Sequence, residues 1–262
     1  MDDPRHDGAA ASLRRLRLIA RHTLGEAVHL RLTLLLGLAG AGLVGAALGL
    51  RDFNFGGAEL KFLGDFGLGV LGFFGMLLAA LTMAQLFFRD LEGRAACFAL
   101  ARPVRRWEYV AGKFAGVAGV LAIFTATLGL LLAGLLAGRA AQLGLPSPDL
   151  RLLLGACGVL WLKSTLVAAM TLLVCSYAGS ALFASGVGLM LTLVAHLRPL
   201  AHDGGMGWLR VWPNLALFDG ESLLNAGQPV SAAWLLGLTG YGAAYVLLFG
   251  TVAALAFRHR EL

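Results

Sequence analysis

Few residues in this 262-residue chain have the type and surroundings to do chemistry, and each can be weighed from its neighbours. Lys163 stands near the middle of an otherwise apolar run. A lysine at the centre of a membrane helix costs about 2.5–3.5 kcal/mol on insertion scales. It therefore needs a polar cavity, an acidic partner or another subunit, as on an ion path, or it snorkels from a tilted or short helix. Ser185, between Ala184 and Gly186, could serve as an intramembrane nucleophile only with a base beside it. The last apolar run holds no histidine, because His259 lies beyond it, so Ser185 reads as a small packing residue. His196 and His202 flank Pro199 outside any standard metal-ligand spacing and read as interfacial histidines, and no metal site is expected. Gly112-Lys113 is followed by Phe114 and lacks the upstream glycine of a phosphate-cradling loop, so this chain does not hydrolyse ATP by itself.

The remaining polar concentration is Phe88 to Phe114, FRDLEGRAACFALARPVRRWEYVAGKF. It carries Arg89, Arg94, Arg102, Arg105, Arg106 and Lys113 against Asp90, Glu92 and Glu108, a formal net charge of about +3. Pro103 divides a helix-compatible piece, Leu91 to Ala101, from a second entry into apolar sequence at Trp107. In that piece Leu91, Ala95 and Phe98 share one face by helical spacing, leaving Glu92 and the arginines for charged contacts. Trp107 and Tyr109 suit a membrane interface. Two readings stand, a basic signal that only orients the chain and a loop that touches a partner.

These residues sit in a very apolar chain. Apolar residues make up 58% and charged residues 14%, with 36 glycines, and mean hydropathy is +0.78. That is the composition of an integral membrane protein. The basic residues gather at the ends of apolar runs, as orientation requires, so the net charge of +6 does not indicate nucleic acid. Cys97, Cys157 and Cys175 form neither a CxxC pair nor an even-numbered framework. The apolar run Leu32 to Leu50 is longer than the core of a secretory signal, so the first span is expected to be retained.

Taken in order, residues 1–10 read as a tail and Ser12 as the N-cap of a helix. Leu13, Leu16, Ala20, Leu24 and Ala27 share one arc of that helix, with Arg14, Arg15, His22, Glu26 and His29 opposite. That pattern predicts an interfacial helix on the inner leaflet, with Arg17 and Arg21 reaching headgroups; a soluble regulatory helix is the alternative. Six spans follow, at about Leu32–Leu50, Gly64–Phe88, Val110–Ala137, Leu152–Val174, Ser180–Leu197 and Ala232–Phe257, each long enough to cross roughly 30 Å of hydrocarbon. Gly37, Ala41, Gly45 and Gly49 form a ridge of small residues on the first span. Ser180, Ala184 and Gly188 do so on the fifth, and such ridges admit a close helix neighbour. Between the last two spans, Asn214 to Asn225 is compatible with a short helix.

Placing the N-terminus, the Phe88–Phe114 loop, the CSYAG turn and the C-terminus on one side collects fourteen basic residues there and six on the other. Both termini are therefore expected in the cytoplasm.

The run GRAACFALARPVRRWEYVAGKF resembles the cytoplasmic segment between spans two and three of type-2 ATP-binding-cassette (ABC) permeases. The matching positions are Glu92-Gly93, Arg102-Pro103-Val104-Arg105-Arg106, Trp107-Glu108-Tyr109 and Gly112-Lys113-Phe114. Arg21 to Leu36 is similar to that family's N-terminal elbow running into span one, Trp212 to Gly220 to its extracytoplasmic Pro-Asn segment, and FRHREL to its usual ending. The branch it resembles most is that of multicopper-enzyme maturation and gliding-type export permeases. Arg94 departs from the pattern, since many relatives carry Thr there.

The resemblance implies an all-α, six-span membrane domain covering residues 1–262: tail and elbow to 31, bundle 32–257, short tail 258–262. It implies a short coupling helix between spans two and three that sits in a cleft of a separate ABC ATPase. Asp90, Leu91, Glu92, Gly93, Arg94, Phe98, Arg102, Pro103, Arg105 and Arg106 would form that contact. The small-residue ridges would pack against a second permease copy or homologue. ATP and Mg would be bound by the partner, with no cofactor in this chain. The expected function is the permease subunit of an ATP-driven exporter in the cytoplasmic inner membrane, in contact with lipid. The alternative is an ion-coupled secondary transporter using Lys163.

Overall fold

A bilayer offers no hydrogen bonds to a bare backbone, so an apolar chain must satisfy its N–H and C=O groups within each segment, and helices result. The computed structural model describes residues 9–52, 59–93, 105–146, 149–199, 211–219 and 232–258. Among them run α1 (Ala9–Val28), α2 (Arg31–Ala46), α3 (Glu59–Glu92), α4 (Arg106–Leu143), α5 (Leu150–Tyr177), α6 (Ala181–His196) and α7 (Ala232–Arg258). Short 3-10 segments include Ala47–Asp52 and Leu215–Phe218.

Five of these helices are long and apolar enough to cross a membrane: α2 with its continuation to Gly49, α3, α4, α5 and α7. The chain is a multi-pass membrane protein. The sixth expected span, α6, is apolar but has 16 residues, a length of roughly 24 Å.

Several helices overrun the expected spans because charged residues in the added turns find partners on neighbouring helices. At one end of the α3–α4 hairpin Arg139 donates from Nε and Nη2 to the two oxygens of Glu59, at 2.6 and 3.1 Å. At the other end Lys113 meets Asp90 at 2.6 Å. The two helices are thus riveted at both ends. Local caps also follow the sequence. Asp149 accepts from the Arg151 backbone N–H, and Ser180 from that of Phe183. Gly144, at φ +66°, takes the left-handed position that closes α4.

At the centre is α5, packed against α3, α4, α6 and α7 and buried without a break from Lys163 to Leu172. Glycines admit its neighbours: a Cβ on Gly188 of α6 would meet Thr171 Oγ1 at 2.5 Å, and one on Gly75 of α3 would meet Ser164 Oγ at 2.6 Å.

α1 differs from the flat interfacial helix that was expected. It runs beside the first half of α4, in parallel register, with Ile19 against Gly112, Thr23 against Gly116 and Leu24 against Gly119. A Cβ on Gly116 would lie 2.7 Å from the Ala20 carbonyl oxygen, so the backbones approach as closely as glycine permits. Thr23 and Ala27 are buried in this seam, whereas Leu13, expected on the same arc, is 66% exposed. Ser12 lies inside α1 rather than capping it, and its Oγ accepts from Arg15.

Candidate functional site

Two charged stations stand out against the apolar bundle. The first brackets residues 94–104, at the ends of α3 and α4. Lys113 is almost completely buried. Its Nζ lies 2.6 Å from Asp90 Oδ2 and 3.7 Å from Glu26 Oε2 of α1. The Tyr109 hydroxyl donates to the same Asp90 oxygen at 2.6 Å. Arg89 reaches Glu26 Oε1 at 2.5 Å. One turn away, the fully buried Glu108 accepts from the Arg105 backbone N–H at 3.1 Å and from Arg15 Nε and Nη2 at 3.2 and 3.3 Å. α7 joins the assembly, since Arg106 donates to the Phe257 carbonyl at 3.1 Å and the Tyr109 ring stacks on Phe257.

The logic is that of charge in a low dielectric: a buried ion persists only where opposite charges and hydrogen bonds replace its water. Here α1, α3 and α4 each supply members of the network, so none can move far without stranding a charge on another. The station contains no nucleophile–base pair, and among the described residues no group of His, Cys, Asp or Glu could hold a metal ion. What it can do is mechanical, holding the two roots of the 94–104 segment and α1 as one unit.

Of the residues the sequence singled out here, Asp90, Arg105 and Arg106 belong to this network, and Leu91 packs on the core. Glu92 and Gly93 are exposed where α3 ends. Leu91 and Glu92 close α3 rather than opening a helix of their own. Arg94, Phe98, Arg102 and Pro103 lie outside the described residues, as do Ala95 and Cys97. Trp107 is 44% exposed, but Tyr109, expected beside it at the interface, is buried. Sequence reasoning missed Arg15, Glu26, Glu108 and Lys113 as partners. The helical spacing of Tyr109 and Lys113, which puts both on one face opposite an acidic residue at the end of α3, was the signal available.

The second station lies at the middle of α5. Lys163 is 4% exposed, and its Nζ donates to Asp219 Oδ1 at 2.6 Å. The lysine is thus paired with a carboxylate and does not snorkel outward. Asp219 follows the Leu215–Phe218 turn, which Asn214 caps by accepting from the Ala216 backbone N–H. Leu215 and Phe218 are fully buried, anchoring the turn among the helices. The Tyr241 hydroxyl of α7 accepts from the Asn214 backbone N–H at 2.8 Å and from Arg198 at 2.9 Å. His196, whose Nδ1 lies 3.0 Å from the Thr192 carbonyl, is within electrostatic range of both Lys163 and Asp219.

Depth explains this gathering. Lys163 lies roughly 21 Å along α5 from Tyr177, and His196 roughly 22 Å along the adjoining, oppositely directed α6 from Ala181. The short α6 ends level with the buried lysine and leaves room for the Trp212–Asp219 segment.

The other candidates resolve simply. Ser185 Oγ donates to the Leu182 carbonyl of its own helix. Cys157 and Cys175 are both buried and not joined in a disulfide. His202 lies outside the described residues. Ala184 and Gly188 are buried inside the chain and Ser180 is exposed, while Gly37, Gly45 and Gly49 have nothing within 4 Å of where a Cβ would stand. Ala41 is half-buried.

Residues 13–206, well over half of the chain and running from within α1 to beyond α6, match the family model described as ABC-2 family transporter protein. No curated protein matches the chain.

Proposed function

The chain belongs to the ABC-2 transporter family, and on that premise we propose that it is the permease of an ATP-driven exporter, moved by a separate ABC ATPase that docks on the segment between α3 and α4. The family is the membrane component of ABC transporters, is not itself an ATPase and generally works with an ATPase subunit. The observation that carries the docking assignment is the cluster that Glu26 and Asp90 form around the buried Lys113. It makes the roots of residues 94–104 rigid with respect to α1, so a push on the segment is passed to three helices together.

In this reading Glu92, Gly93, Arg94, Phe98, Arg102 and Pro103 meet the ATPase, while Asp90, Leu91, Arg105 and Arg106 brace them. ATP and Mg bind in the partner. The excess of basic residues at this end supports a reading in which the segment and both termini face the cytoplasm and the bundle spans the inner membrane. The open ridge of Gly37 and Gly45 on α2 and Gly49 in its continuation, the least buried of the five spans, receives a second permease copy or homologue.

The test is to purify the chain from native membranes in mild detergent and assay ATP hydrolysis. The proposal expects vanadate-sensitive hydrolysis by a co-purifying nucleotide-binding subunit, unaffected by dissipating ion gradients. A chain that purifies without such a subunit and transports only on an ion gradient contradicts it and favours the carrier built on Lys163.

A further inference from the structure

The Lys163–Asp219 pair is unequal in its surroundings. Lys163 is 4% exposed and belongs to the most buried stretch of α5. The Asp219 side chain is 50% exposed and sits at the end of an anchored turn. The ammonium has three donor positions, and among the described residues Asp219 Oδ1 is the one acceptor it reaches. Leu215 and Phe218 are fully buried, so the turn is held from inside by apolar packing as well as by the Asp219–Lys163 bond.

Removing Asp219 from Lys163 leaves a buried charge that the bundle cannot hydrate, so another anion has to take its place. The approach to the pair also has a definite chemistry. His196 and the Arg198–Tyr241 contact flank it on the polar side. Leu193 and Leu197, 54% and 46% exposed on the same end of α6, provide apolar surface at the same depth. An acidic head on a hydrocarbon tail fits both.

We propose that Lys163 is the receptor for the anionic head of an amphiphilic substrate, a carboxylate or phosphate on an acyl chain, and that Asp219 occupies it in the substrate-free state. The inference rests on the transporter reading above and supplies its substrate class. Asp219 acts as a stand-in: it keeps Lys163 neutralised until the substrate head arrives, then rotates into the aqueous side.

The test uses the full chain in phosphatidylcholine nanodiscs without ATP, so its outcome is independent of whether an ATPase partner is found. Spin-labelled stearate and its methyl ester are titrated, and the motionally restricted fraction is read by electron paramagnetic resonance. Wild type is expected to prefer the acid over the ester. In Asp219→Asn, which removes the competing carboxylate, acid binding strengthens by about tenfold or more, the size of one charge-assisted hydrogen bond. Lys163→Met binds acid and ester alike, and Asp219→Glu, which keeps a competitor, behaves as wild type. Excess inorganic phosphate does not displace the stearate.

Three results overturn the proposal: unchanged or weaker acid binding in folded Asp219→Asn, retained acid preference in Lys163→Met, or displacement by inorganic phosphate, which marks a site for soluble anions. If Asp219→Asn cannot be recovered folded, the Lys163→Met comparison decides alone.

Discussion

Lys113 Nζ and Asp90 Oδ2 lie 2.6 Å apart, joining α4 to α3 beside the segment that leaves one helix and enters the other. Around this bond the Tyr109 hydroxyl and Glu26 complete a network that α1 shares. The pair is buried, so it serves geometry more than stability: a well-packed apolar pair could hold the helices as tightly.

That distinction gives the first prediction. Asp90→Asn or Lys113→Met alone strands one buried charge and lowers stability by about 3–5 kcal/mol. The double substitution costs less than the sum of the two singles, because neither charge is then left behind. Thermal unfolding of the purified variants measures both quantities, and simple additivity would show that the groups do not depend on each other.

The α1–α4 seam is tested at Gly116, where an added Cβ would lie 2.7 Å from the Ala20 carbonyl oxygen. Gly116→Val is expected to cost about 1–3 kcal/mol or more through overpacking and to free α1 from the bundle. Limited proteolysis at the arginines of α1 should accelerate in this variant. If the cleavage rate does not change, the seam is looser than described here.

On α2 the opposite behaviour is expected. Gly37 has nothing within 4 Å in its own chain, so Gly37→Leu leaves the unfolding temperature of the separated chain unaltered. On the proposed assembly it weakens association with a second permease, which crosslinking in native membranes reads directly.

The second ion pair predicts an asymmetry. Asp219→Ala strands the buried Lys163 and costs about 1–3 kcal/mol, less than a fully buried pair because Asp219 is half in solvent. Lys163→Met removes the buried charge itself and lets Asp219 hydrate, so it is neutral or stabilising. Unfolding of the two variants side by side checks the order, and the reverse order contradicts the burial described here.

How far the sequence could be read follows from these same residues. Apolar runs located the spans because a lipid-facing or bundle-facing helix must be apolar along its length, and α2, α5 and α7 fall where those runs lie. The ends of α3 and α4 were not legible. Glu59, Asp90, Arg106 and Glu108 lie outside the expected spans and have the composition of a loop, and their partners on other helices, Arg139, Lys113, Phe257 and Arg15, hold them in helix there. The need of Lys163 for a counter-charge could be stated from the sequence. Its supply by Asp219 could not, because the turn that brings Asp219 in depends on the shortness of α6 and on the buried Leu215 and Phe218. The amphipathic arc of α1 was visible, but an arc does not say whether lipid or a glycine seam will cover it. Gly112, Gly116 and Gly119 on α4 were the matching half of that information.

The most direct test of the central claim is whether the exposed end of α3 and the segment after it hold the ATPase. Tagged wild type and the Glu92→Ala/Phe98→Ala variant are purified from native membranes in mild detergent, and the co-purifying nucleotide-binding subunit is quantified against the permease. Wild type is expected to carry the subunit, and the variant, still folded by its unfolding temperature, to lose it together with ATP-driven transport. Equal recovery of the subunit with transport intact would contradict the claim.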